Sequence, residues 1–241
     1  MNGNDGKTTL FRKITCYFTR TELVLWCVSL ALITCSFIIF DRNGWLSLAA
    51  SLIGATALIL NAKGNPAGQV LVIIFSVMYG YISWTFAYYG EMITYVGMTA
   101  PMAVVALISW LKHPFCGKRS EVQVGSVGKP ELCFMASLAG LVTIVFYFIL
   151  EYFDTANLLA STLSVTTSFV AVYLTSRRSA YFALAYAAND LVLIVLWISA
   201  TIENSSYVSV LVCFITFFFN DIYGLISWRK MEKRQSFGKF N

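Results

Sequence analysis

Eight runs of apolar residues, each long enough to cross a bilayer, occupy most of the chain: 21–40, 44–60, 67–89, 92–111, 132–150, 157–174, 180–200 and 207–228. A spanning helix needs about 20 mainly apolar residues, and tilt absorbs a few more or fewer. The links between runs are short and made of turn formers, as in Asp41-Arg42-Asn43-Gly44 and Asn61-Ala62-Lys63-Gly64-Asn65-Pro66. The exception is the polar stretch 112–131, which divides the chain roughly in half. A soluble fold is excluded, because only 12% of residues are charged, about half the share needed to clothe a water-facing surface. The mean hydropathy of +0.71 agrees, and the sequence predicts an all-α polytopic membrane protein.

Charge placement tests the count, since Lys and Arg collect in cytoplasmic loops. With eight spans, the N-terminal side holds Lys7, Arg12, Lys13, Arg20, Lys63, Lys112, Lys118, Arg119, Lys129, Arg177, Arg178, Arg229, Lys230, Lys233, Arg234 and Lys239, sixteen of the seventeen basic residues; Arg42 alone falls opposite. Dropping any span scatters them over both faces. The pattern predicts a plasma or inner membrane protein with both termini in the cytoplasm. Asp41, Glu91, Glu151, Asp154 and Glu203 fall on the other side, making that mouth mildly attractive to cations. The polar, basic N-terminus is followed by no small-residue cleavage site, so the first run reads as a retained helix. Cys27, Cys35, Cys133 and Cys213 lie in apolar runs and Cys16 and Cys116 in basic segments, with no disulfide framework or metal motif.

The second half matches the first at nearly constant offset. Ala57, Leu60 and Lys63 fall on Ala171, Leu174 and Arg177, Trp84 falls on Trp197, and Glu91 and Tyr95 fall on Glu203 and Tyr207. Leu107-Ile108-Ser109-Trp110 recurs as Leu225-Ile226-Ser227-Trp228. This divides the chain into an N-terminus with an extra helix (1–43), a three-helix unit (44–111), a cytoplasmic loop and linker helix (112–155), a second three-helix unit (156–228) and a basic tail (229–241). One linker helix keeps the two units parallel, a 3+1+3 arrangement that points to a transporter with its substrate site between the repeats near the bilayer midplane.

The segments Tyr88-Tyr89-Gly90-Glu91-Met92-Ile93-Thr94-Tyr95 and Gly97-Met98-Thr99-Ala100-Pro101, Leu163-Ser164 leading to Arg177-Arg178, and Asn220-Asp221-Ile222-Tyr223-Gly224 leading to Trp228 resemble the PnuC family of nicotinamide riboside transporters. The resemblance covers about residues 44 to 230. It implies a SWEET-like seven-helix core behind an extra helix, assembled as a homotrimer. It also implies facilitated diffusion of an unphosphorylated vitamin B3 precursor toward NAD synthesis, with a cytoplasmic riboside kinase trapping the product. Relatives in the wider family carry thiamine or riboflavin. Where many relatives place Trp, Asn and Tyr along one helix, this chain reads Ala185, Asn189 and Val192. Only the Asn matches, so ring stacking falls to Tyr186 or Trp197.

Asp190 and Asp221 are carboxylates deep within spans, where an ionisable group costs about 2.5 to 3.5 kcal/mol and should face the protein interior or a cavity. Each follows an Asn, so Asn189, Asp190, Tyr186, Asn220 and Tyr223 form one candidate set for a cationic ring. Gln69, Ser76, Tyr79 and Ser83 share a face of the third run, and Gln69, Tyr79 and Trp84 complete the candidates with Thr167, one of the hydroxyls Thr162, Ser164, Thr166, Thr167 and Ser168. The plainer alternative for all of them is interhelical hydrogen bonding, worth about 0.6 kcal/mol on average in membranes. Trp45, Trp110 and Trp228 sit at run ends, where an aromatic belt is expected, and His113 reads as a solvated loop residue.

No Gly-rich phosphate loop, Gly-x-Ser-x-Gly or His-Glu-x-x-His occurs, so no enzyme, cofactor or metal is expected. The basic residues follow membrane topology and form no nucleic-acid surface. The competing readings are an intramembrane aspartyl protease using Asp190 and Asp221, whose family Gly-x-Gly-Asp element is absent, and a non-transporting receptor.

Overall fold

The computed structural model describes residues 17–42, 44–85, 89–155 and 157–237. Lys7, Arg12, Lys13, Cys16, Asn43, Tyr88 and Lys239, used above, lie outside these residues. The eight expected spans are present as helices: α1 (Arg20–Phe40), α2 (Trp45–Ala62), α3 (Ala67–Thr85), α4 (Tyr89–Lys112), α5 (Lys129–Tyr152), α6 (Leu158–Ser176), α7 (Phe182–Glu203) and α8 (Val208–Phe237). A capping box opens α1, with Thr19 and Glu22 satisfying each other's backbone N–H groups. Pro130 sits in the first turn of α5, where the missing N–H costs nothing.

α4 is not uniform. Residues Ile93–Thr99 form wide π-helical turns before regular helix resumes at Ala100. The distortion lies just ahead of Pro101, whose ring would otherwise clash with the carbonyl of Gly97 four residues back. The basic segment after Trp228 also differs from a separate tail, because α8 continues through it to Phe237. Lys, Arg, Glu and Gln are good helix formers, and Gln235 anchors the extension by bonding to Val124 N and Val122 O at 2.8 and 3.0 Å.

Helices α2, α3, α4, α6, α7 and α8 each pack on the next, and α8 returns to α2, closing a ring. Outside it, α1 packs on α2 and α8, while α5 packs on α6. In the stretch 112–131, β1 (Pro114–Phe115) and β2 (Lys118–Val122) form an antiparallel hairpin. The hairpin and the residues after it reach both halves: Val122 N donates to Gly64 O and Gly125 N to Arg178 O, each at 2.9 Å. Ion pairs Lys63–Glu22, Arg177–Glu131 and Arg234–Glu121 gather on the same face. The described basic residues other than Arg42 therefore share one membrane face.

The ends of α2 and α6 match bond for bond. Gly64 N donates to Asn61 O and Asn65 N to Leu60 O; Arg178 N donates to Thr175 O and Ser179 N to Leu174 O. Gly64 and Arg178 both adopt left-handed backbone, with φ of 66° and 58°, the usual device for ending a helix. The end carbonyls then receive indole donors from the opposite half. Trp110 Nε1 donates to Thr175 O at 2.9 Å and Trp228 Nε1 to Asn61 O at 2.7 Å. The two indoles lie 5.3 Å apart, with Phe182 set edge-on to Trp228 at 4.8 Å.

This overturns the belt assignment for Trp110 and Trp228, which are fully buried, whereas Trp45 is 67% exposed. Their indole N–H groups find better partners in the helix ends than at the lipid interface. His113 is exposed on the basic face and bonds Ser109 O. Trp228→Phe and Trp110→Phe, which keep the ring but remove the donor, should each destabilise the protein by about 1–3 kcal/mol. Trp45→Phe should change it by less than about 0.5 kcal/mol. Thermal unfolding in detergent checks all three.

Candidate functional site

Inside the ring lies a cavity to which all six of its helices contribute residues through three kinds of contact. Aromatic walls come from Phe75 on α3, Tyr95 on α4, Phe182 and Tyr186 on α7, and Phe214 and Phe217 on α8. Polar groups come from Asn61, Thr99, Ser168 and Asn189, and charge from Asp190 and Asp221. No Lys, Arg or His is among the lining residues. Gly54 makes room for one wall, since a Cβ there would stand 2.6 Å from the Phe217 ring. The π-helical turns of α4 bring Tyr95 and Thr99 to the cavity, in keeping with the frequent use of such turns at functional sites.

Asn189 is held from behind. Its Oδ1 accepts from Ser164 Oγ, Thr167 Oγ1 and Ser168 Oγ at 3.1, 2.9 and 3.1 Å. Three hydroxyls of α6 thus fix the amide plane of a residue that lines the cavity. On the next residue, Asp190 is 4% exposed and its Oδ2 has no hydrogen-bond partner among the described residues. Asp221, equally buried, faces it from α8 and interacts with it directly. Two adjacent carboxyls with an unused acceptor, beside an amide donor and six aromatic rings, suit a flat cationic ring carrying hydroxyl and amide groups.

Phe182, one wall of the cavity, packs against the Trp110–Trp228 pair. Toward the face opposite the basic residues the cavity borders a larger vestibule that shares Phe75, Phe214 and Phe217 with it.

The sequence candidates divide accordingly. Tyr186, Asn189 and Asp190 line the cavity; Thr167 stands behind Asn189, and Gln69 behind Asn61, donating to its Oδ1 at 3.0 Å. Tyr79 lies on the vestibule side, stacked between Phe75 and Tyr95. Three candidates are corrected. Asn220 turns away from the cavity and donates to Ser29 Oγ on α1 at 2.9 Å, because successive helical residues point about 100° apart. Tyr223 reaches the basic face, where its hydroxyl bonds Glu22. Trp84 is 57% exposed on the outer surface beside Tyr81. Of the two rings considered for stacking, Tyr186 lines the cavity and Trp197 the vestibule. Sequence reasoning missed Asn61, Phe75, Tyr95, Thr99 and the α8 phenylalanines. Pro101 was a usable signal for the distorted turn that delivers Tyr95 and Thr99.

Helices closed around a polar, aromatic cavity within the membrane define a multi-pass protein built to hold a small solute. The family model described as nicotinamide mononucleotide transporter matches residues 44–230. A Neisseria mucosa protein described as nicotinamide riboside transporter PnuC is 28% identical over 205 residues, spanning 82% of this chain and 77% of the relative. A crystal structure described as the vitamin B3 transporter PnuC superposes with a TM-score of 0.78 at 24% identity, covering 90% of this chain and 94% of that one. The chain belongs to the nicotinamide mononucleotide transporter family, that of the PnuC transporters. Asp190 and Asp221, whose adjacency a protease dyad also requires, both line the cavity.

Asn189→Ala should weaken ligand binding by at least about tenfold, the worth of one good polar contact to a ligand, with the folded yield unchanged. Trp84→Ala, on the outer surface, should leave binding within twofold. Calorimetric titration of the purified variants checks both.

Proposed function

We propose that this chain carries nicotinamide riboside across the inner membrane by uncoupled facilitated diffusion, with both termini in the cytoplasm and a cytoplasmic kinase trapping the product as its phosphate. The carrying observation is the chemistry of the cavity. It offers two carboxyls, an oriented amide and aromatic walls, and no basic side chain. A pyridinium riboside finds a counter-charge there. Its 5′-phosphate would bring a dianion beside Asp190 and Asp221 with no Arg or Lys to meet it, and phosphate sites are built from such donors.

The basic residues on one face support the cytoplasmic placement of that face. The paired ends of α2 and α6 and the crossed indole bonds support a parallel 3+1+3 duplication, of the SWEET-like kind, in which each half braces the other. Assembly as a homotrimer rests on the family resemblance. The absence of His or Lys beside Asp190 and Asp221 supports uniport, since a proton relay is ordinarily built from chains of ionisable groups. Ala185 and Val192 leave thiamine, another cationic aromatic vitamin, as the second reading.

Calorimetry with nicotinamide riboside, its mononucleotide, thiamine and riboflavin tests the substrate. The riboside should bind, with the mononucleotide at least about 100-fold weaker, a gap of about 2.7 kcal/mol. Tight thiamine binding with a silent riboside would transfer the mechanism to that vitamin. In sealed vesicles, an imposed pH gradient should drive no uphill accumulation of the riboside; accumulation would overturn uniport.

A further inference from the structure

The vestibule on the face opposite the basic residues has a composition of its own. Its walls carry Phe75, Tyr79, Trp197, Tyr207 and Phe214, and its charged lining residues are Asp41 and Glu91, with no Lys, Arg or His. The two acids are not equivalent. Asp41 is committed to the α1–α2 turn, where its Oδ1 accepts from Gly44 N at 3.2 Å. Glu91, half-buried at the head of α4, makes no hydrogen bond or ion pair among the described residues.

Glu91 also stands where two passages meet. It lines the vestibule, which leads down to Phe75, Phe214 and Phe217, and a narrower cavity that runs past Tyr95 to Ser164 and Ser168, the hydroxyls behind Asn189. A carboxylate with no hydrogen bond or ion pair among the described residues, in a recess whose described lining is aromatic and holds no base, attracts organic cations, both by its field and through the ring faces around it.

We propose that the vestibule is a binding station separate from the central cavity, selective for monocations with a flat aromatic ring, and that Glu91 is its counter-charge. The station rests on the reading of this chain as a carrier of a pyridinium riboside. It captures the cation first and hands it inward to Asn189, Asp190 and Asp221. Glu91 thereby sets specificity for charge before any contact with the central site.

The test is stopped-flow tryptophan fluorescence on the full-length purified protein, using three probes: nicotinamide riboside, its reduced and uncharged dihydro form, and N-methylnicotinamide as a minimal aromatic cation. Glu91→Gln should slow association of both cations about tenfold at low salt, with the gap closing as ionic strength rises, and leave the uncharged form unchanged. Glu91→Asp, which keeps the charge, should retain most of the cation preference and guards against a folding artefact. Equal effects on charged and uncharged forms, no effect on either, or no binding of N-methylnicotinamide to the wild type would overturn the station. If N-methylnicotinamide binds in a Glu91-dependent way while neither form of the riboside binds, the station stands and the substrate reading falls.

Discussion

Two indole N–H groups, each donating to the end of a helix in the other half of the molecule, are the contact on which the rest depends. The carbonyls of Asn61 and Thr175 at the ends of α2 and α6 each accept one N–H from the turn that follows, and each carries a second lone pair that can accept again. Trp228 and Trp110 fill that second acceptor position from across the molecule. Because each bond crosses from one half to the other, filling these positions also closes the ring. Phe182 forms part of both this closure and the cavity.

Much of the architecture was legible because membrane spans follow from composition and loop charge alone. All eight spans and the segregation of basic residues needed no three-dimensional information. What the sequence concealed were features decided by direction. Apolar runs carry little amphipathic signal, so nothing in the text separated Asn220, facing Ser29, from Asp221, facing the cavity. Trp84, Trp110 and Trp228 are chemically identical in a sequence, yet one meets the outer surface and two meet helix ends. The phenylalanines of α8 are invisible among so many others.

The legible part of the site was its polarity. Asn189, Asp190 and Tyr186 stood out because polar groups in spans are costly unless used. Their supporting hydroxyls Ser164, Thr167 and Ser168 were equally readable as mere packing, and only the geometry shows that all three converge on one amide oxygen. A cavity with acids and amides but no bases keeps a cation from being desolvated without compensation, and the same arrangement is hostile to anions.

The unequal backbone of the two facing walls has its own consequence. α7 and α8 meet the cavity as regular helices, with Asn189 clamped and the carboxyls fixed beside it. α4 meets it through wide π-helical turns, a local departure from regular helix that recurs at functional sites. The amide and the two carboxyls of the cavity therefore sit on regular helix on one side, and Tyr95 and Thr99 on irregular backbone on the other. The two sides of the cavity are thus built on backbones of different regularity, so that a change in the turns of α4 re-aims Tyr95 and Thr99 without moving the helices that carry Asn189, Asp190 and Asp221.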